Sequence, residues 1–303
     1  MRRTTNWEAR IDALDPDSES DAIVAILIDH VFTEDFLASM ELGQLTTFGI
    51  PSISKVLHGT RQYEEAGTKR LDDTLAMGLE LFKGLQTPQA AAMLEHLNAI
   101  HSHYPITNDD NLYTLSTLSI DLDRWLSRYG FRQLREIERR ALHRFAQVLG
   151  GKMNITDIPA THEAFVAWRL DYEATHRRFH PNNMAVASGA AKGLAAMLPV
   201  GMRWLTLPLL ASLVDEELRA ALGLRKAPLP FRVAVAAGMR ARRWTRRFFN
   251  AHEHRPFRQV RLLTQFATYP NGYDPMQLGP TKVLRAMAKR KGCPMSTRAR
   301  VTP

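Results

Sequence analysis

Cysteine is almost absent from this sequence, with Cys293 as the only one among 303 residues. A disulfide framework and a zinc site built from several cysteines are therefore excluded, and a reducing compartment is indicated. The first residues include paired arginines, but acidic residues and Pro16 follow where an export signal needs an apolar run. We predict no signal peptide and a cytoplasmic location, with peripheral attachment to a membrane as an alternative.

A clean apolar run of about 20 residues, the length that spans a bilayer, is also missing. The most apolar stretch, residues 184–214, is interrupted by Lys192 and Arg203 and broken by Pro199 and Pro208. A membrane-spanning helix is therefore not expected. A buried helix pair is the main interpretation, and a segment that dips into a membrane interface is the alternative.

Acidic residues are scarce between Gly223 and Arg261, where eleven Lys or Arg accompany a single acid, Glu253. This local surplus of +10 exceeds the net charge of +9 for the whole chain, so the remainder is near neutral. A solvated basic helix and a surface for anionic lipid heads both fit such a stretch. No known nucleic-acid-reading motif accompanies the charge, and we expect no nucleic-acid partner.

Alternating strand patterns are missing as well, whereas stretches of helical length recur along the chain. We therefore predict an all-α protein with a single large helical domain at residues 21–282. A polar segment, residues 1–20, precedes it, and a flexible basic tail, residues 283–303, follows it. The predicted helices are 21–32, 46–59 (opened by a Gly and Pro break), 70–85, 88–103, 110–127, 132–150 and 161–178.

Two histidines lie two positions apart in "LNAIHSHYPITNDDNLYT", which starts at Leu97. Thr87 and Pro88 are a good N-cap and first-turn pair for the helix that leads to them. At about 100° per residue, His101 falls within the apolar stripe centred on Leu97, whereas His103 falls on its flank. His101 is thus the inward histidine. It is either a hydrogen-bonded core residue or a metal ligand.

The preceding helix carries two apolar stripes, one of which begins with polar residues. Arg70, Thr74, Met77 and Leu81 follow one another at the i, i+4, i+7 and i+11 positions. The arginine and threonine are either a solvated first turn or well-placed donors over a ligand cavity, and the pattern alone leaves both interpretations open.

The order of these motifs resembles the MpaB and rubber oxygenase (latex clearing protein) catalytic domain family, closest to its MpaB branch. The resemblance rests on "KRLDDT", which contains Arg70, Asp73 and Thr74, followed about thirty residues later by His101. It extends over much of the chain through "FGIPSIS", "IHSHYPITNDDNLYTLS", "RYGFRQLREIE", "DIPATHEAFVAW" and "TYPNGYDPMQLGP".

The resemblance implies a globin-like helical core that binds one b-type haem, with His101 as the proximal ligand of the iron. It also implies that Arg70 and Thr74 line the oxygen pocket, Arg70 contacting the cofactor as well. Rubber oxygenases have a lysine where this chain has Asp73, and an aspartate cannot act as an amine ligand. We count Asp73 with Arg70 and Thr74 among the candidate catalytic residues.

The function expected from the resemblance is haem-dependent oxidative cleavage, by O₂, of a C=C bond in a hydrophobic, isoprenoid or lipid-like substrate. Two other functions stay open. The chain could be a haem-binding or sensing protein that has no oxygenase turnover. It could also be a basic helical protein without a cofactor that binds a membrane or nucleic acid.

Overall fold

The computed structural model describes residues 6–196, 198–247 and 266–290, and within them every regular element is helical. The all-α prediction is confirmed, while the globin-like core stays a prediction. The helices are α1 Trp7–Asp12, α2 Ser20–Ile26, α3 Thr33–Phe48, α4 Pro51–Thr60, α5 Gln62–Leu81, α6 Pro88–His101, α7 Asn108–Tyr129, α8 Glu136–Lys152, α9 His162–His176, α10 Pro181–Ala196, α11 Thr206–Leu213, α12 Glu216–Ala221, α13 Leu229–Arg246 and α14 Thr281–Arg290.

Helix α5 differs most from its predicted bounds, because it begins at Gln62 rather than at 70. Arg61, in the left-handed region at φ 59°, turns the chain directly from α4 into α5. The first turns then end in a kink at Ala66, where φ is −143° and ψ is 44°. The kink lets two helices pack very closely: a Cβ on Gly193 of α10 would lie 2.8 Å from the carbonyl carbon of Gly67.

That close approach explains the small residues in the first half of the apolar stretch 184–214. Helix α10 is largely buried against α5, so this half is a buried helix as predicted. The second half corrects the prediction of a buried pair, since α11 buries only one face and the 3-10 turn Val200–Leu205 is open to solvent. Val200 and Trp204 are 77% and 71% exposed. None of the described helices is long and apolar enough to cross a membrane.

The ends of the chain are only partly described. Residues 283–290 of the predicted tail belong to α14, and Val283 is buried in the main hydrophobic core. The rest of the predicted tail, residues 291–303, and the basic residues 248–261 lie outside the described residues. The described part of the basic stretch forms α13, whose arginines contact the start of α3 through the Arg242–Asp35 and Arg246–Glu34 pairs.

Candidate functional site

A cavity of about 300 Å³ lies between helices α3 to α8. Aliphatic, aromatic and methionine side chains from all six helices make up most of its wall, among them Met40, Ile53, Met77, Leu97, Leu118 and Leu149. A few polar groups interrupt this wall, which is the composition of a site for an apolar ligand that is held by a small number of directed contacts.

His101 ends α6 and forms part of the cavity wall, as the helical wheel predicted. The helix that carries it starts where the sequence indicated, because the Thr87 hydroxyl accepts a hydrogen bond from the Ala90 amide at 3.2 Å. Among the described residues the His101 imidazole has no hydrogen-bond partner. Desolvation, followed by the charge of Arg70, lowers the pKa of His101 to about 4. The ring is therefore neutral at physiological pH and has a lone pair to offer.

His103 has a different environment. It follows the last turn of α6, lies outside the cavity wall, and its Nδ1 is 2.8 Å from the Ala99 carbonyl oxygen. The two histidines of the motif thus differ in the contacts that their rings make as well as in the direction that they face. The role of His101 as a ligand stays a prediction.

Arg70 and Thr74 lie one turn apart on α5 and both face the cavity. The Arg70 Nη1 donates a hydrogen bond to the Thr74 hydroxyl, which donates in turn to the Arg70 carbonyl oxygen at 2.8 Å. The guanidinium carbon lies 5.2 Å from the centroid of the Tyr63 ring. No carboxylate of the described residues forms an ion pair with Arg70, so its charge is available to a ligand. Arg70 and Thr74 thus line a cavity, and their role as donors to a ligand stays a prediction.

Asp73 is next to Thr74 in sequence but lies outside the cavity wall. It is 3% exposed, and its carboxylate accepts hydrogen bonds from Lys69, the Tyr269 hydroxyl and the Gly279 amide. The structure therefore brings Arg70, Thr74 and His101 together and separates Asp73 from them. A catalytic role for Asp73 stays a prediction.

Sequence reasoning missed several polar residues of the wall. Gln44 accepts a hydrogen bond from the Tyr63 hydroxyl at 2.8 Å, and both side chains line the cavity. Asp110 also lines it and accepts hydrogen bonds from Ser52 and Tyr172. The "TNDDN" start of α7 is the one local signal for Asp110, and its partners come from helices distant in sequence.

Within the described residues, no three His, Cys, Asp or Glu side chains converge on one point. The cavity therefore offers a metal a single imidazole rather than a cluster of protein ligands. Such a site suits an iron whose other ligands belong to a cofactor.

The lowered pKa of His101 predicts a measurable pH dependence of stability. The unfolded chain protonates this histidine below pH 6.5, whereas the folded chain resists protonation down to about pH 4. The unfolded state thus binds more protons in that window, and stability falls as the pH is lowered through it. Relative to His101→Leu, the wild-type protein should lose up to about 3 kcal/mol of unfolding free energy between pH 6.5 and 4.

Urea unfolding of both proteins at several pH values in that window measures this difference. The other titratable groups are the same in the two proteins, so their contributions to the pH dependence of stability cancel in the comparison. Parallel pH profiles would show that the His101 ring is not desolvated in the folded protein.

Comparison with known proteins gives a consistent set of relatives. A family model described as ER-bound oxygenase mpaB/B'/Rubber oxygenase, catalytic domain, matches residues 42–250. An ER-bound oxygenase mpaB' from Penicillium brevicompactum is 28% identical over 258 residues, which cover 79% of this chain and 60% of the relative. An ER-bound oxygenase mpaB from the same organism is 29% identical over 174 residues, or 51% of this chain and 44% of the relative.

A further relative is an ER-bound oxygenase mpaB from Penicillium roqueforti (strain FM164). It is 26% identical over 206 residues, which cover 62% of this chain and 69% of the relative. The chain thus spans about half of the length of the two Penicillium brevicompactum proteins. The range matched by the family model contains Arg70, Thr74 and His101 and stops before Phe266.

Proposed function

The chain belongs to the family of ER-bound oxygenases mpaB/B' and rubber oxygenases, and on that premise we propose that it is a haem b-dependent oxygenase. We infer that it uses O₂ to cleave a carbon–carbon double bond in a hydrophobic, isoprenoid or lipid-like substrate. The observation that carries the proposal is the neutral His101 imidazole, which faces an apolar cavity without a hydrogen-bond partner among the described residues.

The residues of the cavity fit a haem. A half-buried imidazole that lines an apolar cavity without a partner has a lone pair to offer, and an iron can occupy it. The porphyrin supplies four further ligands, so one histidine is sufficient on the protein side. When bound, the haem supplies the oxygen chemistry that the side chains cannot perform.

The Arg70 and Thr74 pair supplies the directed polar contacts. Arg70 adds an uncompensated positive charge and N–H donors. The Thr74 hydroxyl donates its one hydrogen to the Arg70 carbonyl oxygen and accepts from the Arg70 Nη1, so it helps to fix the guanidinium. Donors that are fixed before the reaction stabilise negative charge on oxygen without reorganising. The same guanidinium is also the group suited to a haem carboxylate, so Arg70 is assigned to both cofactor binding and catalysis.

The remaining wall defines the class of substrate. Aliphatic side chains such as Ile53, Val56 and Leu57 on α4 exclude water and make no directed contact, which suits a hydrocarbon chain. The relatives are named ER-bound. Peripheral docking of this chain on lipid is supported by the exposed Val200 and Trp204 and by the basic helix α13.

The proposed function is tested first by the visible spectrum of the purified protein, oxidised and reduced, with added haemin where needed. A polyprenyl lipid in neutral or anionic vesicles is then supplied with O₂, and carbonyl products are measured. We expect a Soret band, carbonyl products, and co-sedimentation with anionic vesicles only.

Two cavity variants refine this test. Arg70→Met should weaken haem binding and lower turnover by about 10²- to 10³-fold, as loss of an oxyanion donor does. Thr74→Val should keep the haem and lower turnover less, because the Thr74 hydroxyl acts through Arg70. A Soret band without any products in the wild type would favour the non-enzymatic haem protein. Absence of haem uptake would favour the protein without a cofactor.

A further inference from the structure

Residues 266–280, which we call the C-terminal strap, lie across the outer faces of α5 and α6. On α5, the Asp72 carboxylate accepts a hydrogen bond from the Thr268 amide at 2.8 Å. Asp73 accepts from the Tyr269 hydroxyl, and Glu80 accepts from the Tyr273 hydroxyl at 3.0 Å. The strap is therefore tied along the helix that carries Arg70 and Thr74, and it lies outside the matched range 42–250.

The strap also reaches α6. His96 is 7% exposed, and its Nε2 lies 2.9 Å from the carbonyl oxygen of Leu278, which is itself fully buried. His96 precedes Leu97 and therefore lies about 100° from the centre of the apolar stripe, and the strap covers this side of α6. The two helices that carry Arg70, Thr74 and His101 are thus held by one segment.

Gly279 lies between the two helices. Its φ of 121° is in the region that favours glycine, and a Cβ there would lie 2.8 Å from the Ile100 Cδ1 and 3.6 Å from the Met77 Cε. Ile100 precedes His101, and Met77 lines the cavity. Only a residue without a side chain fits this position, directly behind the cavity wall.

Both polar groups of this glycine are bound by α5. The Gly279 amide donates to the Asp73 Oδ2 at 3.2 Å, and its carbonyl oxygen accepts from the Lys69 Nζ at 3.0 Å. Lys69 and Asp73 pair with each other at 2.6 Å. They are the sequence neighbours of Arg70 and Thr74, so the strap is attached to the same turns of α5 at this point.

The connectivity shows why such an attachment is needed. Helices α5 and α6 are joined by the short connection 82–87, and Arg70 and His101 lie about 16 and 20 Å away from it along their helices. A short connection fixes only the near end of a helix pair. The far end, where Arg70, Thr74 and His101 lie, needs contacts of its own to keep a constant separation.

We propose that Asp73 is a positioning residue, which acts through Gly279 and Tyr269 of the strap to set the separation between the Arg70–Thr74 pair and His101. This inference deepens the proposed function and rests on it for its catalytic consequence. The placement itself is a property of the polypeptide and can be tested without a cofactor.

A matched pair of variants tests the proposal. Tyr269→Phe and Tyr273→Phe each remove one hydroxyl that the strap donates to α5, but only the Tyr269 hydroxyl reaches Asp73. In hydrogen–deuterium exchange, we expect Tyr269→Phe to speed amide exchange about fivefold in residues 69–77 and 97–101. Tyr273→Phe should affect only the strap and the end of α5 near Glu80. Gly279→Ala should reproduce the Tyr269→Phe pattern.

The haem-loaded protein gives a second readout. In the reduced carbon monoxide complex, the CO stretching frequency reports the donors that face the ligand, so Tyr269→Phe should shift it and Tyr273→Phe should leave it unchanged. Identical exchange patterns in the two Phe variants, or unchanged exchange in residues 69–77 and 97–101, would overturn the proposal. If the wild type binds no haem, the proposed function fails, while the exchange comparison still decides the role of Asp73.

Discussion

The variant His101→Ala is expected to lose haem binding, with an affinity more than about a hundredfold below that of the wild type. Even the loss of a group that only orients a metal ligand costs about 10- to 100-fold in affinity, so loss of the ligand itself costs more. No other histidine of the described residues lines the cavity. The measurement is Soret absorbance per protein chain after titration with haemin.

The matched control is His103→Ala. This residue is the second histidine of the same motif and is also partly buried, but its Nδ1 contacts the Ala99 carbonyl oxygen outside the cavity wall. Haem affinity should stay within about twofold of the wild type, because a helix-end hydrogen bond contributes only about 1 kcal/mol to stability. Added imidazole should restore a Soret band to His101→Ala, since truncation leaves space at the ligand position. The assignment of His101 as the haem ligand is wrong if His103→Ala loses haem binding and His101→Ala retains it.

The position of His101 was predictable because it depends on local rules alone. The Thr87 and Pro88 pair sets the start of α6, and the 3.6-residue period then turns His101, rather than His103, toward the core. Arg70 and Thr74 were found in the same way, through the i and i+4 spacing on α5. Which of the two faces of α5 borders a cavity could not be derived, because that depends on how α3, α6 and α7 surround it.

The environment of Asp73 could not be predicted for a different reason. Its partners Tyr269 and Gly279 lie about 200 residues away, and no helical period connects them. The early start of α5 also depends on tertiary contact, since the Gly67 kink region packs against the Gly193 region of α10. Local helix propensity has little influence where a close helix–helix contact determines the backbone conformation.

A large loss of stability is expected from Arg169→Met, although this residue lies outside the cavity. Arg169 is fully buried on α9, and its guanidinium pairs with Asp121 at 2.6 Å and with Glu173 at 2.9 Å. Burial alone would raise the pKa of Glu173, but the charges of Arg169, Arg177 and Arg124 together hold it below its usual value. Burial also raises the pKa of Asp121, against the opposing charge of Arg169.

Removal of Arg169 leaves these two carboxylates buried with less compensation. Breaking a buried ion pair on one side typically costs about 3 to 5 kcal/mol, and we expect Arg169→Met to lower the free energy of unfolding by that amount. Urea denaturation at neutral pH, followed by circular dichroism, measures the loss. Because the uncompensated carboxylates take up protons, the deficit should shrink as the pH is lowered.

Arg124→Met is the matched control, because Arg124 pairs with the same Glu173 at 3.3 Å but is 38% exposed. Water already screens this pair, so its loss should cost less than about 1 kcal/mol. Equal losses in the two variants would show that burial does not distinguish the two arginines.

The Arg169–Asp121 pair also lies close to the cavity. The Asp121 Oδ2 lies 3.0 Å from the Cβ position of Gly43, a residue of the cavity wall on α3. Arg169 thus holds the carboxylate that packs against the α3 side of the cavity wall.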